Sequence, residues 1–96
     1  MLELTFIRHG ETTWNAQGRF QGQLDAPLTP LGICQAKALN KRLLQQSFDA
    51  LYSSDSGRVL QTAGLVFPNQ SPQMDARLRE IHYGVLEGKT RAEFSA

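Results

Sequence analysis

The feature that most constrains the fold is a short apolar run near the N-terminus that ends close to a glycine. Residues 2–7 are nearly continuous in apolar and β-branched side chains, and Gly10 follows shortly after them. Such a run is typical of a strand buried on both faces of a parallel sheet, because helices cover each face of such a sheet. The run therefore predicts a parallel strand inside an α/β fold.

The segments that follow alternate between helix and strand patterns. Thr29 and Pro30 start a helix, because the hydroxyl can cap free amides and proline at the first helical position loses no hydrogen bond. This helix is predicted to run to about Gln46, and strands are predicted at 48–53 and 73–75 with a helix at 55–67 between them. The alternation indicates a three-layer fold with a mainly parallel sheet and helices on both faces.

One stripe of the first predicted helix carries small and apolar side chains. Its members recur at helical spacing and are Gly32, Ala36, Leu39 and Leu43. Because the first two are small, we expect this helix to pack closely on the sheet.

Two segments bear on function and on how much of a domain the sequence contains. Residues 11–28 are polar and punctuated by Gly18, Gly22 and Pro27, which predicts a long loop of the kind that is usually functional or disordered. Thr90 and Glu93 have capping-box spacing, which predicts a helix that only three residues follow. We therefore expect residues 1–96 to be the N-terminal portion of a single longer domain, with the C-terminal portion absent.

Charge and cysteine content exclude several classes of function. The formal net charge is +1 with both signs interspersed, so the chain has no electrostatic signature for nucleic acid or an anionic membrane. It has no apolar run of the length that a membrane span needs, which is about 18 residues. Cys34 is the only cysteine, which excludes an intrachain disulfide and a multi-cysteine zinc site and fits a cytoplasmic setting.

Polar clusters follow the first two predicted strands. Arg8, His9 and Gly10 end the first, and "SSDSGR", which ends at Arg58, follows the second. Ligands of parallel α/β sheets bind beyond the carboxyl ends of the strands, and an arginine in the first turn of a helix opposes the helix dipole unless an anion is present. The two arginines could therefore clamp a phosphate, with His9 between them as a nucleophile.

The same residues also have structural interpretations. His9 alone could be a histidine with satisfied hydrogen bonds, and Arg58 alone could be a solvated surface residue. The sequence lacks the cysteine pair of a zinc deaminase, the H-E-x-x-H motif, the Walker phosphate loop and G-x-G-x-x-G, so none of these chemistries competes.

Four successive motifs decide between these interpretations. The chain resembles the histidine phosphatase superfamily, also called the phosphoglycerate mutase-like family, in "RHGET", "GRFQGQLDAPLTPLG", "SSDSGRVLQTA" and "LREIHYGVLEG". Together these motifs span residues 8–88 of the chain. The resemblance implies a phosphoglycerate mutase-like fold, incomplete in this chain, and phosphoryl transfer that needs neither a metal nor a cofactor.

The resemblance also assigns roles to individual residues. It implies that His9 is phosphorylated, that Arg8 and Arg58 clamp the phosphate, and that Glu80 first protonates the leaving oxygen and then activates water. A surface partner of Arg79 is the alternative role for Glu80. The loop positions that line the substrate phosphate would be Asn15, Gln21 and Gly22.

One residue that the family needs is missing. The resemblance implies a second histidine late in a chain about twice this length, and His82 lies too close to Glu80 to match it.

Hydrolysis of a small phosphate ester by the full-length protein is the preferred function, and a phosphoglycerate mutase-type transfer is the alternative, because "EIHYG" resembles the mutase branch. The isolated chain is expected to be impaired. If it is complete, it would be a non-catalytic phosphate-binding module, and a homo-oligomer could cover its exposed sheet edge.

Overall fold

The computed structural model describes residues 2–80 and 82–95, which form an α/β arrangement. The helices and strands in this part of the chain are α1 Thr13–Gln17, α2 Pro30–Arg42, β1 Tyr52–Ser53, α3 Gly57–Val66, β2 Gln73–Met74 and α4 Arg91–Ser95. Two 3-10 turns, Ala76–Leu78 and Gly84–Leu86, lie between β2 and α4.

The sheet is small and parallel. Tyr52 of β1 lies opposite Gln73 of β2, and the amides of Gln73 and Asp75 donate to the carbonyls of Leu51 and Ser53, each at 2.8 Å. Helix α3 makes the connection between the two strands, as parallel pairing requires. The predicted order of strand, helix and strand is confirmed here, although each strand is two residues long.

Helix α2 begins where its capping residues predict. The Thr29 hydroxyl accepts a hydrogen bond from the Gly32 amide at 3.0 Å, and Pro30 is the first helical residue. The helix ends at Arg42 rather than near Gln46, because the chain tightens into a turn in which Gln46 donates to the carbonyl of Leu43 at 3.0 Å.

Helices α2 and α3 pack against each other around a small core. Ala36 of α2 and Val66 of α3 are buried, and the Asn40 side-chain amide donates to the Val66 carbonyl at 2.9 Å. This bond satisfies a carbonyl at the C-terminus of α3, which would otherwise lack an intrahelical partner. The pairing fixes α3, and with it Arg58, relative to α2.

The predicted loop at 11–28 contains a helix that the sequence analysis missed. Thr12 caps α1 by accepting from the Asn15 amide at 3.1 Å, and the Asn15 side chain accepts from the Thr12 amide at 3.0 Å. Asparagine takes the place of the usual glutamate or glutamine in this capping box, so the pattern was overlooked. The capping box predicted at Thr90 and Glu93 is confirmed, with bonds of 3.1 and 3.2 Å.

The prediction of a buried strand at 2–7 is wrong for this structure. In the described part of the chain residues 2–11 form no strand, and the side chains of Leu2, Leu4 and Phe6 are 82%, 70% and 89% exposed. Thr5, Ile7 and His9 share with β1 and α3 the lining of a groove of about 90 Å³. An apolar run forms a strand only when a neighbouring strand offers it hydrogen bonds. In this structure β1 pairs with β2, and residues 2–11 pair with neither strand.

The described part of the chain is extended for its size. Its radius of gyration is 14.6 Å, compared with about 12.5 Å for a compact domain of this length. The exposed apolar N-terminus and this dimension agree with a fold that is incomplete. None of the described helices is long and apolar enough to cross a membrane.

Candidate functional site

The peptide after His9 lies directly against the backbone of α2. A Cβ atom on Gly10 would stand 2.5 Å from the carbonyl oxygen of Gly32, and a Cβ on Gly32 would overlap the backbone of Glu11. Two glycines therefore permit a contact between the His9 loop and the first turn of α2 that no other residue pair would allow. Gly32 packs on this loop rather than on the sheet, which corrects the packing predicted for the α2 stripe.

A threonine joins the same loop to α3. The Gly10 amide donates to the Thr62 hydroxyl at 3.1 Å, and that hydroxyl donates to the Arg58 carbonyl at 2.8 Å. Thr62 is buried and lies one turn after Arg58. The main chain at His9 is thereby tied to the helix that carries Arg58, through a residue that the sequence analysis had not singled out.

His9 is half-buried, and its ring orientation is fixed by a neighbouring carbonyl. Nδ1 lies 2.7 Å from the carbonyl oxygen of Gly10. A carbonyl only accepts, so Nδ1 carries the proton in this contact, and the neutral ring then has its lone pair on Nε2. The arrangement suits a nucleophilic imidazole.

A cavity of about 370 Å³ opens beside His9. Its polar lining comes from Arg8, His9, Gln35, Arg42 and Thr62, and the Arg8 side chain is exposed. Arg8 and His9, which are adjacent in sequence, therefore both lie at this cavity. Arg58 and Glu80 are not among the residues that line it.

Arg58 is buried, and its guanidinium is bound by the loop at residues 22–25. Its Nη2 donates to the Gly22 carbonyl at 2.7 Å, and its Nη1 donates to the Leu24 carbonyl at 2.6 Å and lies 3.3 Å from Asp25 Oδ1. Asp25 also accepts from the Arg58 amide at 3.2 Å. The negative charge expected at the N-terminus of α3 is thus supplied by Asp25, a residue of the chain itself.

The three predicted substrate-binding residues lie on one continuous segment. Thr12 is fully buried, and its hydroxyl donates to the Gln21 side chain at 2.9 Å while it caps the Asn15 amide. Gly22 has a φ of +55°, a left-handed conformation that turns its carbonyl toward Arg58 and that glycine adopts without strain. Asn15 is exposed, whereas Gln21 and Gly22 are buried.

Glu80 is exposed and follows an arginine that is anchored near α3. The Arg79 guanidinium donates two hydrogen bonds to the Asp55 carboxylate, at 2.6 and 2.5 Å. These hydrogen bonds hold the pKa of Asp55 below its ordinary value of 3.8, against a smaller opposing effect of burial. Because Asp55 lies just before α3, the salt bridge places the Glu80 segment near the helix that carries Arg58.

His82 does not join the cavity at His9. It is largely exposed, and its Nε2 lies 3.3 Å from the carboxylate of Glu87, whose side chain is buried. Among the described residues, no group of three or more histidine, cysteine, aspartate or glutamate side chains is arranged to hold a metal ion.

Three residues that had not been identified as candidates make contacts that organise this region. Thr62, Asp25 and Glu87 all act on backbone or on Arg58 through contacts distant in sequence. All three residues lie inside motifs quoted above, and membership of a motif was the only signal in the sequence that could have identified them.

A comparison with protein families matches residues 4–96 to the histidine phosphatase superfamily (branch 1). Among curated proteins, the probable phosphoglycerate mutase GpmB of Yersinia pestis (strain Pestoides F) is 46% identical over 91 residues, which are 93% of this chain and 42% of the relative. The chain therefore spans less than half the length of this relative.

Solved structures agree with this match. YhfR of Bacillus stearothermophilus gives a TM-score of 0.86 at 49% identity, and the match covers 91% of this chain and 44% of the YhfR chain. Phosphoserine phosphatase of Entamoeba histolytica, solved in complex with 3-phosphoglyceric acid, gives a TM-score of 0.81 at 38% identity. The match covers 92% of this chain and 44% of the phosphatase chain. The predicted phosphoglycerate mutase-like α/β fold is confirmed, and it is incomplete relative to these relatives.

Proposed function

The chain belongs to the histidine phosphatase superfamily, and we propose that the full-length protein transfers a phosphoryl group from a small phosphate ester to His9 and then to water. The observation that carries the proposal is the contact of His9 Nδ1 with the Gly10 carbonyl, which leaves Nε2 to act as the nucleophile. Residues 1–96 would be the N-terminal portion of one such domain.

The proposed reaction has two steps, and His9 and Glu80 act in both. In the first, Nε2 of His9 forms a bond to phosphorus, the ester P–O bond breaks, and Glu80 gives its proton to the leaving oxygen. In the second, Glu80 takes a proton from water, the water oxygen bonds to phosphorus, and the P–N bond breaks. Phosphate leaves, and both residues return to their first protonation states.

Arg8 and Arg58 would neutralise the charge of the phosphoryl group during transfer. Arg8 lines the cavity at His9, and Arg58 is oriented by the carbonyls of Gly22 and Leu24. Arg58 Nε is buried and has no hydrogen-bond partner within the described ranges, and Arg58 does not line the cavity at His9. A phosphate oxygen would therefore accept from Nε only where the full-length protein brings the phosphate to Arg58. The two cations would also keep the imidazole from being protonated beside a dianion.

Asn15, Gln21 and Gly22 would line the substrate phosphate. Thr12 holds Asn15 and Gln21 through hydrogen bonds, and Gly22 is part of the cradle for Arg58. The proposed ligand is therefore a small phosphorylated molecule whose phosphate reaches His9.

Mutase activity is the second candidate. The relative at 46% identity is described as a probable phosphoglycerate mutase, whereas the structurally similar phosphoserine phosphatase is 38% identical. A mutase would return the phosphoryl group from His9 to a second hydroxyl instead of to water.

Turnover of an aryl phosphate by the full-length protein tests the proposal. The His9→Ala variant should lose turnover, His82→Ala should stay within a few-fold of wild type as the matched histidine control, and a chelator should have no effect. Turnover that survives His9→Ala, or that requires added magnesium, would refute the mechanism. The 96-residue chain alone should be severely impaired.

A further inference from the structure

Glu87 has a buried carboxylate to which the proposed reaction gives no role. Its side chain is 4% exposed, yet it lies in a segment between a 3-10 turn and α4 that is otherwise half-buried or exposed. One carboxylate oxygen accepts from the Gln23 amide at 2.6 Å, and the other lies 3.3 Å from His82 Nε2. A buried carboxylate is costly unless it is well bonded, so these contacts are structurally significant.

Gln23 stands between the two carbonyls that hold Arg58. The residue before it, Gly22, accepts from Nη2 of Arg58 at 2.7 Å, and the residue after it, Leu24, accepts from Nη1 at 2.6 Å. The amide that Glu87 binds therefore belongs to the centre of the cradle for the guanidinium. A shift at Gln23 would move both acceptors of Arg58.

The protonation state of Glu87 is consistent with this contact. Burial raises the pKa of its carboxyl, but the Gln23 amide, the charge of His82 and the Tyr83 and Leu24 amides outweigh burial and leave the pKa below its ordinary value of 4.5. Glu87 is therefore ionised at neutral pH, and its bond to Gln23 is charge-assisted.

We propose that Glu87 is a positioning residue that fixes Arg58 by holding the Gln23 amide at the centre of the Gly22–Leu24 cradle. Glu87 does not line the cavity at His9, so it acts through the loop and not on the reacting atoms. The consequence for phosphate binding rests on the proposed function, whereas the effect on the cradle does not.

The direct test compares three forms of the protein by nuclear magnetic resonance. Glu87→Gln keeps the size of the side chain and removes its charge, and Glu93→Gln is the matched control because Glu93 is an exposed carboxylate of the following helix that bonds to Arg19. The measurements are hydrogen exchange at the Gln23 amide and the chemical shift of the Arg58 Nε–H group. Neither depends on catalytic activity.

The inference predicts a distinct result for each variant. In Glu87→Gln, exchange at Gln23 should quicken by about tenfold or more, equal to about 1.4 kcal/mol of lost protection, and the Arg58 resonance should move. In Glu93→Gln the exchange rate at Gln23 and the position of the Arg58 resonance should both match the wild type. Unchanged exchange at Gln23, or an Arg58 resonance that stays in place while Gln23 is released, would overturn the inference.

A wild-type measurement covers the case in which Glu87→Gln does not fold. The Gln23 amide proton should lie downfield because of its short bond to a carboxylate, and it should move upfield as acid protonates Glu87. A Gln23 signal that does not follow the titration of Glu87 would contradict the inference.

Inorganic phosphate then separates the inference from the proposed function. With wild-type protein that binds phosphate, Glu87→Gln should weaken binding by about tenfold and Glu93→Gln should not, and equal affinities would contradict the role of Glu87 at the phosphate. Wild-type protein that binds no phosphate would instead refute the proposed function, and the exchange and resonance measurements would still decide whether Glu87 positions Arg58.

Discussion

Replacing Gly10 by alanine tests the contact that places His9 against α2. The added Cβ would stand 2.5 Å from the Gly32 carbonyl oxygen, and ordinary contact begins at 3.4 Å, so one of the two backbones must move by about 0.9 Å. Neither atom belongs to a flexible side chain that could turn away. The same movement would stretch the 3.1 Å bond between the Gly10 amide and the Thr62 hydroxyl.

The expected cost follows from these two effects. Overpacking costs about 1–3 kcal/mol, and leaving the buried Gly10 amide unsatisfied costs about 1–3 kcal/mol more. The lower entropy of the unfolded alanine chain offsets about 0.4–1 kcal/mol. We therefore expect Gly10→Ala to lower the free energy of unfolding by about 3 kcal/mol, out of roughly 5–14 kcal/mol for a chain of this length.

Urea denaturation followed by circular dichroism measures this difference. At a slope of about 1.5 kcal/mol per M, the midpoint should fall by about 2 M. Gly64→Ala is the matched control, because Gly64 lies within α3 and an added Cβ there meets nothing within 4 Å. Alanine at that position should stabilise the helix by about 0.5–1 kcal/mol. Equal midpoints for wild type and Gly10→Ala would refute the close contact.

Three further perturbations test other parts of the structure. Thr12→Val removes the α1 cap and the bond to the Gln21 side chain, and should lower the free energy of unfolding by about 1–2 kcal/mol in a urea titration; no change would contradict the cap. Because its folded pKa is depressed, Asp55 stabilises the fold above its unfolded pKa and loses that contribution as the pH falls through the folded pKa. Arg79→Gln should therefore raise the pKa of Asp55 in an NMR titration, and an unmoved pKa would exclude the salt bridge. If the exposed Leu4 and Phe6 drive self-association, light scattering should show a molar mass above that of the monomer, which lysine at both positions should reduce to the monomer value; a wild-type monomer at micromolar concentration would contradict this.

Local signals predicted the helices well. Thr29 and Pro30 act on neighbouring backbone groups, so the start of α2 could be derived from a few adjacent residues. The same is true of the capping box at Thr90 and Glu93. Where the local pattern departed from the usual residues, as at Asn15, α1 was overlooked.

Features that depend on a distant partner could not be predicted. Residues 2–7 have the composition of a buried strand, but whether such a run pairs depends on another strand beside it. The surroundings of Arg58 were hidden for a related reason, because its acceptors at Gly22 and Leu24 are backbone carbonyls, which every residue has. Sequence motifs identified Arg58 as a functional candidate without indicating what orients it.

The central claim is that His9 is the nucleophile, and mass spectrometry of the phosphorylated protein tests it most directly. The full-length protein would be mixed with an aryl phosphate, quenched in alkali, digested and examined for an acid-labile phosphoryl group. The account predicts one phosphoryl group on the peptide that contains His9, and none on that peptide in His9→Ala. Phosphorylation at another residue, or turnover with no phosphoryl group on His9 under conditions that trap the intermediate, would contradict it.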